Sequence, residues 1–229
     1  MKVELVAHTK GYNKYYGMTS EEIVSAIARH GVIKEDGGKL VKYLMDNKHW
    51  SPLDMINFVF EITTSRAIGR QIIRHSSINV QEHSQRYSSK VSFEKIELRK
   101  EDPVNRQSST ELYNEYEKLK FINEWTQHAF IGLPSDLIES HLQSTLNLYN
   151  ALIEAGIAKE CARMILPECT STTITLNGTL RSWLSFLNVR MEEHAQKEIR
   201  EIAKEIGRIL SKEMPNVFST IEWEQGLFM

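Results

Sequence analysis

Several features that commonly point to a function are absent from this 229-residue sequence. No apolar run approaches the roughly 20 residues that cross a bilayer, and the first residues lack the apolar stretch of a secretion signal. No Gly-x-Gly-x-x-Gly or Walker-type loop offers a phosphate cradle. The formal net charge of −2 gives no global attraction to nucleic acid or membranes. We therefore expect a cytoplasmic protein that binds neither.

Cysteine is also scarce, with Cys161 and Cys169 as the two examples. Two cysteines are too few for a disulfide framework, and their spacing is not that of metal ligands. His75 and His83 lie eight residues apart with Glu82 beside the second, which is a weak pattern for a metal site. The sequence therefore predicts reduced, structural cysteines and no metal centre.

A polar segment, residues 70–87, is the most unusual stretch of the chain. It is rich in Arg, His, Gln and Ser and contains no lysine. The planar guanidinium of arginine suits phosphates and flat heterocycles better than the point charge of lysine. Arg66, Arg70 and Arg74 recur every fourth residue of a predicted helix, where they form either a solvated face or an anion-facing surface. The segment as a whole is typical of a loop lining a polar ligand site.

Hydrophobic periodicity predicts a helix-rich α+β protein without an alternating βαβ pattern. Strands are expected at residues 3–8, 55–63, 92–99 and 170–176, with a loop at 100–110 and a turn at Asn177-Gly178. Helices are expected after a cap at Thr19 or Ser20 and after a cap at Ser65. Further helices are predicted at residues 112–129, 134–156, 157–166, 179–191 and 194–214.

The spacing of the polar residues resembles the signature of the flavin-dependent thymidylate synthases. The hallmark of that family is Arg-His-Arg, seven or eight residues, and Ser. Here Arg74-His75-Ser76 is followed by seven residues and Ser84, and then by Arg86-Tyr87. Three more blocks match in the same order along the chain. The first is His49-x-Ser51-Pro52 followed by Asn57-Phe58-Val59-Phe60, and the second is Ala162-Arg163-x-x-Leu166-Pro167. The third is Asn177-Gly178-Thr179-x-Arg181-Ser182-Trp183, followed by Arg190 and by Ala195-Gln196-x-Glu198-Ile199-Arg200.

The resemblance implies a fold and a reaction. The fold would be one α+β domain over residues 1–229, helix-rich with a small, mostly antiparallel sheet. The enzyme would convert dUMP to dTMP with methylenetetrahydrofolate as carbon donor, NADPH as reductant and FAD as redox and carbon-transfer cofactor. It would need no cysteine nucleophile. The family is a homotetramer whose sites draw residues from neighbouring subunits.

The resemblance also implies roles for individual residues. Arg190 and His49 match catalytic positions: the first favours the ionised form of the uracil, and the second lies near folate and flavin. The positions matching the dUMP site are Gln71, Arg74, Glu82, His83, Ser84, Gln85, Arg86, Arg163 and Arg190. Those matching the FAD site are Ser51, Arg74, His75, Ser76, Glu82, Thr179, Arg181, Ser185 and His194.

Two departures from the family pattern leave alternatives open. Ser76 replaces the second arginine of the hallmark, which removes a cation near the flavin. The family's Pro-Phe-Glu-His reads Pro52-Leu53-Asp54-Met55 here, so the carboxylate is shorter and the second histidine is missing. A flavoenzyme that modifies another pyrimidine nucleotide, or transfers another one-carbon group, is one alternative. A non-catalytic nucleotide-binding relative is the other.

Overall fold

The computed structural model describes residues 1–34, 36–122 and 128–221. Contacts divide the chain into two compact units. Met1–Glu82 and Thr172–Met229 form the sheet unit, and His83–Ser171 forms the long-helix unit. A division by contacts does not test whether the two units fold independently. A single domain over residues 1–229 therefore stays a prediction.

Helices and strands both occur throughout the described chain. The strands are β1 (Lys2–His8), β2 (Asn57–Ser65), β3 (Asn79–Glu82), β4 (Arg99–Glu101), β5 (Ser109–Leu112), β6 (Leu119–Ile122), β7 (Ala129–Gly132) and β8 (Ser171–Thr179). The helices are α1 (Ser20–Ala28), α2 (Gly37–Asp46), α3 (Arg66–Ile73), α4 (Pro134–Glu154), α5 (Lys159–Ala162), α6 (Leu180–Arg190), α7 (Lys197–Glu213) and α8 (Pro215–Phe218). Short 3₁₀ turns occupy Asn13–Tyr15, Ser51–Met55 and Arg163–Ile165.

Four strands form one sheet in the order β1-β2-β8-β3. β1 pairs with β2, and β3 pairs with β8, in both cases antiparallel. Along β2, Phe58, Phe60 and Ile62 are fully buried while their neighbours are partly exposed. This alternation is the period of two that the sequence shows. The predicted α+β class with small antiparallel sheets is confirmed.

Helices of the sheet unit bury apolar faces in one core. α6 contributes Trp183 and Phe186, and α7 contributes a stripe at Ile199, Ile202, Ile206 and Leu210. The two predicted caps are present. Thr19 forms a capping box with Glu22, and Ser65 accepts a hydrogen bond from the backbone of Ile68. Each cap satisfies a backbone N–H group that a helix start leaves without an intrahelical partner.

Two regions differ from their predicted structure. Asn177-Gly178 is not a turn, because β8 continues through it and Asn177 pairs with Asn79. Residues 112–129 are not a helix: their described part contains β6, which forms a hairpin with β7, and residues 123–127 lie outside the described ranges.

The neighbouring stretch differs from its prediction as well. The loop predicted at 100–110 is present at residues 102–108, and its two ends belong to the paired strands β4 and β5. The strand predicted at 92–99 is reduced to an isolated bridge between Phe93 and Thr170 and to the first residue of β4. The long helix predicted at 134–156 is confirmed as α4. Within the described ranges, the chain has no helix with the length and apolar character that a membrane crossing requires.

Candidate functional site

Arg190, in the last turn of α6, is the centre of a cationic cluster in the sheet unit. Its Nη2 donates a hydrogen bond to the backbone oxygen of Gln71 at 2.7 Å. Its Nε is buried and has no hydrogen-bond partner among the described residues. Burial lowers the pKa of Arg190, and the positive charge of Arg74 lowers it further. Two predicted site arginines are therefore close enough to repel each other, which favours an anion between or beside them.

His75 belongs to the same cluster. Its ring packs edge-on against Phe186 with centroids 5.5 Å apart. Burial is the main cause that lowers the pKa of His75, and the charge of Arg190 adds to it, while a hydrogen bond with the Ser182 backbone acts in the opposite direction. The ring Nε2 is buried without a hydrogen-bond partner in the described part of the chain. A neutral imidazole is therefore placed beside two cations with one nitrogen left to bind a ligand.

Gln71 is held at both its backbone and its side chain. Its carbonyl accepts the bond from Arg190, and its side-chain Nε2 donates to Oε1 of Gln196 at 2.7 Å. Gln196 was not among the predicted site residues, although it stands in one of the matched sequence blocks. Its contact could not be found from sequence, because 125 positions separate the two glutamines.

A second polar group lies where α6 begins. Thr179 caps the helix by accepting a hydrogen bond from the Ser182 backbone at 3.1 Å. Asp54, in the 3₁₀ turn that also contains Ser51, accepts from the Thr179 hydroxyl at 3.2 Å and from Nη1 of Arg181 at 3.2 Å. The structure thus brings together two predicted flavin residues, Thr179 and Arg181, through Asp54, which the sequence did not single out as a site residue.

Glu82 at the end of β3 is oriented by the neighbouring strand. Its Oε1 accepts a hydrogen bond from the Thr172 hydroxyl at 2.8 Å. Thr172 is buried on β8, two residues from the Ile174 that pairs with Glu82. One carboxylate oxygen of a predicted substrate and flavin residue is thereby fixed by the protein.

The other predicted residues of the sheet unit lie outside these two groups. His49 is exposed and its ring stands edge-on to Tyr43, with centroids 6.1 Å apart. Ser51, Ser76 and His194 are exposed as well, and Ser185 is half-buried on α6.

The remaining predicted residues belong to the long-helix unit. Ser84 accepts a hydrogen bond from the Arg86 backbone at 3.3 Å. The Arg86 side chain is 3.5 Å from Glu160, and both of these side chains are largely exposed. His83 is exposed, Gln85 is buried, and Arg163 is half-buried in the 3₁₀ turn after α5. A cavity of about 480 Å³ in this unit, between residues 93–98 and α4, is lined by none of the predicted site residues.

The sheet-unit clusters suit one kind of ligand. The arginines bind anionic groups and flat heterocycles, and the unpaired nitrogen of the neutral His75 ring accepts a hydrogen bond from a ligand N–H or O–H group. Among the described residues, no group of three His, Cys, Asp or Glu side chains is arranged to hold a metal ion. The chemistry of this donor set is therefore that of a nucleotide or dinucleotide site.

Comparisons with known proteins give the family. A family model described as thymidylate synthase complementing protein matches residues 5–216. A flavin-dependent thymidylate synthase of Synechocystis is 39% identical over 185 residues, covering 81% of this chain and 80% of the relative. A probable flavin-dependent thymidylate synthase of Paramecium bursaria Chlorella virus 1 is 32% identical over 233 residues, covering 97% and 100%.

A third relative extends the same result to a distant organism. The flavin-dependent thymidylate synthase of Kosmotoga olearia is 32% identical over 179 residues, covering 77% of this chain and 72% of the relative. The predicted family is thus confirmed: the chain belongs to the family of flavin-dependent thymidylate synthases, the thymidylate synthase complementing proteins.

Proposed function

We propose that this protein is an FAD-dependent thymidylate synthase that methylates dUMP to dTMP. Methylenetetrahydrofolate is the carbon donor and NADPH the reductant. Membership of the family supports the reaction. The observation that supports the placement of the site is the partly buried guanidinium of Arg190, which lies beside Arg74 and His75 and whose buried Nε is unpaired in the described structure.

The residues fit FAD as an anionic, flat cofactor. Arg181 and Arg74 supply the cationic groups that a pyrophosphate requires. The unpaired Nε2 of the neutral His75 ring is left to accept a hydrogen bond from an N–H group such as that of an isoalloxazine ring. Ser51, Ser76, Glu82, Thr179, Ser185 and His194 complete the proposed FAD set. When bound, FAD supplies the redox and one-carbon transfer chemistry that no side chain of this protein can perform.

The chain's own residues bind and polarise the substrate. The proposed dUMP set is Gln71, Arg74, Glu82, His83, Ser84, Gln85, Arg86, Arg163 and Arg190. Its arginines suit the phosphate. A fixed cation at Arg190 stabilises negative charge on the uracil, and so favours the nucleophilic form of the base. His49 acts near the folate and the flavin.

The hydrogen bonds that orient the Arg190 guanidinium support its proposed role. Its Nη2 donates a hydrogen bond to the backbone carbonyl of Gln71, and the side chain of Gln71 donates one to Gln196. The guanidinium is therefore oriented before substrate arrives, and a preorganised charge needs no reorganisation during the reaction. The neutral state of His75 avoids a third positive charge at the same place.

We also infer the assembly and the location of the enzyme. It is a cytoplasmic homotetramer that shares active sites between subunits and binds small molecules rather than nucleic acid or membranes. The exposed apolar side chains Leu148 on α4 and Phe121 and Ile131 on the β6–β7 hairpin support association, because such surfaces are commonly covered in an assembly.

An absorbance spectrum tests the proposed function. Purified protein, supplemented with FAD where needed, should be yellow. NADPH should bleach the flavin bands faster when dUMP is present, and dTMP should form when methylenetetrahydrofolate is added. A protein that stays colourless after incubation with FAD would overturn the proposal.

A second candidate function rests on the two departures from the family pattern. Ser76 and Met55 are exposed and stand where the family has arginine and histidine. These changes could suit another pyrimidine nucleotide or another one-carbon product. Mass analysis of products after incubation with dUMP, and in parallel with dCMP, distinguishes the two enzymes. Flavin binding without any nucleotide product would identify a non-catalytic relative.

A further inference from the structure

We propose that Asp54 is a positioning residue that orients Arg181 and Thr179 for FAD at the start of α6. This inference rests on the proposed function, because it takes Arg181 as a flavin-binding residue. The two oxygens of Asp54 are used separately. Oδ1 accepts from the Thr179 hydroxyl at 3.2 Å, and Oδ2 accepts from Nη1 of Arg181 at 3.2 Å.

The number of available protons decides which group donates and which accepts in each hydrogen bond at the start of α6. The Thr179 hydroxyl has one proton, which it donates to Asp54. Its oxygen is then left to accept from the Ser182 backbone at 3.1 Å and from the Ser182 hydroxyl at 3.1 Å. The carboxylate therefore fixes the direction of the cap as well as that of the arginine.

The charge of Asp54 suits its place. A carboxylate near a helix N-terminus is stabilised by the positive end of the helix dipole. The ion pair is only partly covered: the Arg181 side chain is 51% exposed and that of Asp54 is 34% exposed. Arg181 therefore keeps N–H groups for a ligand while one side of its guanidinium is held.

The backbone at this point is fixed without Asp54. The Leu180 N–H donates to the Ile56 carbonyl at 2.8 Å, and Trp183 Nε1 donates to the Phe58 carbonyl at 3.1 Å. Trp183 and Leu180 are fully buried. Removal of the Asp54 carboxylate should therefore disturb the side chains of Arg181 and Thr179 and leave α6 in place.

The test compares FAD affinity in Asp54→Asn, Asp54→Glu and Arg181→Met variants and in the Asp54→Asn/Arg181→Met double variant. Affinity is measured by quenching of flavin fluorescence on titration into apoprotein. Asp54→Asn should weaken FAD binding about threefold to fivefold, the scale of a partly exposed ion pair. Asp54→Glu retains the charge and should recover most of the loss. In the Arg181→Met background, Asp54→Asn should cost clearly less affinity than in the wild-type background, because only its action through Thr179 remains.

The matched control is Glu205→Gln, which removes the carboxylate of another exposed pair, with Arg208 on α7. It should leave FAD affinity unchanged. Tighter FAD binding by Asp54→Asn would mean that the carboxylate competes with FAD for Arg181, and would overturn the proposal. An equal loss in both backgrounds would overturn it too. Wild-type protein that binds no FAD would instead contradict the proposed function itself.

Discussion

At the scale of single residues, substitution of Arg190 is the strongest test of the proposed reaction. Its guanidinium is partly buried, oriented by the Gln71 carbonyl and close to Arg74. Arg190→Ala should reduce kcat by about a hundredfold or more, since loss of one preorganised charge-stabilising donor has costs of this order. FAD binding should persist, because the proposed FAD set does not include Arg190.

Steady-state turnover and flavin titration on the same preparation measure both effects. Arg190→Lys is the matched variant: it keeps a positive charge but loses the planar fork. It should retain part of the turnover lost by alanine. Wild-type turnover in Arg190→Ala would refute the assigned role.

His75 makes a prediction about pH and stability. Its folded-state pKa is lowered by burial and by Arg190, so the unfolded chain binds the proton more readily. The stabilisation from the neutral ring is fully present above the unfolded pKa of about 6.5 and is lost as pH falls from there through the folded pKa. Apoprotein Tm should therefore fall below that pH, and His75→Gln should flatten the fall.

Thermal unfolding of the apoprotein from about pH 5 to about pH 8 measures this difference, because that range brackets the ordinary histidine pKa of about 6.5. His141→Gln is the control, since His141 is an exposed histidine on α4. The two variants should differ in slope below the ordinary histidine pKa. If His75→Gln keeps the wild-type slope there, the ring is not held neutral by the fold.

At the scale of elements, the packing of α3 on β8 depends on Gly69. A Cβ there would lie 2.9 Å from Cδ1 of Ile174 and 3.3 Å from Cγ2 of Thr172. Ile174 is fully buried, so it has little room to move. Gly69→Ala should lower the free energy of unfolding by about 1 kcal/mol, because an overpacking cost of about 1–3 kcal/mol exceeds the helix gain of about 1 kcal/mol.

Denaturant unfolding followed by tryptophan fluorescence measures the change. The double variant Gly69→Ala/Ile174→Val decides the cause. Valine lacks Cδ1, the atom that the new Cβ would meet. In the Ile174→Val background, Gly69→Ala should be neutral or stabilising. Equal destabilisation in both backgrounds would place the strain elsewhere.

The elements also indicate what a single sequence can and cannot predict. β2 and α7 were predictable because burial imposes a repeating pattern on the sequence, and the Thr19 and Ser65 caps because their hydrogen bonds are local. Asn177-Gly178 has the local signal of a turn. Pairing with β3 overrides that signal, and Gly178 lies close to Ile78 and Trp183. Such pairing involves residues distant in sequence.

The same reasoning applies to the candidate site. Matched motifs predicted the residues of the candidate site, including Arg74, His75 and Arg190. They could not find Asp54, Thr172 or Gln196 as partners, because each contact joins residues at least 90 positions apart. The hairpins of the long-helix unit were missed for a related reason. Their strands are short and exposed on both faces, so burial leaves no period of two in the sequence.

At the scale of the whole molecule, the proposed tetramer is open to direct measurement. α4 has 21 residues, of which Pro134 and Tyr149 are buried within the described chain. A long helix this exposed is expected to pack in an assembly. Light scattering coupled to size exclusion should give four times the 26.5 kDa chain mass. A monomer at micromolar concentration would exclude the assembly.

The proposed sharing of active sites between subunits leads to a sharper experiment. Arg190→Ala and Arg163→Ala chains should each be nearly inactive as pure tetramers. If one site takes these two arginines from different subunits, mixed tetramers contain some sites with both arginines intact. Random mixing of equal amounts should then restore up to about a quarter of wild-type turnover, because each position is native in half of the subunits.

The mixture must be refolded together or exchanged, and the mass of the mixed species checked by light scattering. A mixture of Arg190→Ala with Arg190→Lys chains is the control, since both are changed at the same position and no intact site can form. Its turnover should equal the mean of the two pure variants. The turnover of the Arg190→Ala and Arg163→Ala mixture is compared in the same way with the mean of its own two pure variants. If it equals that mean, the two arginines of each site come from one chain.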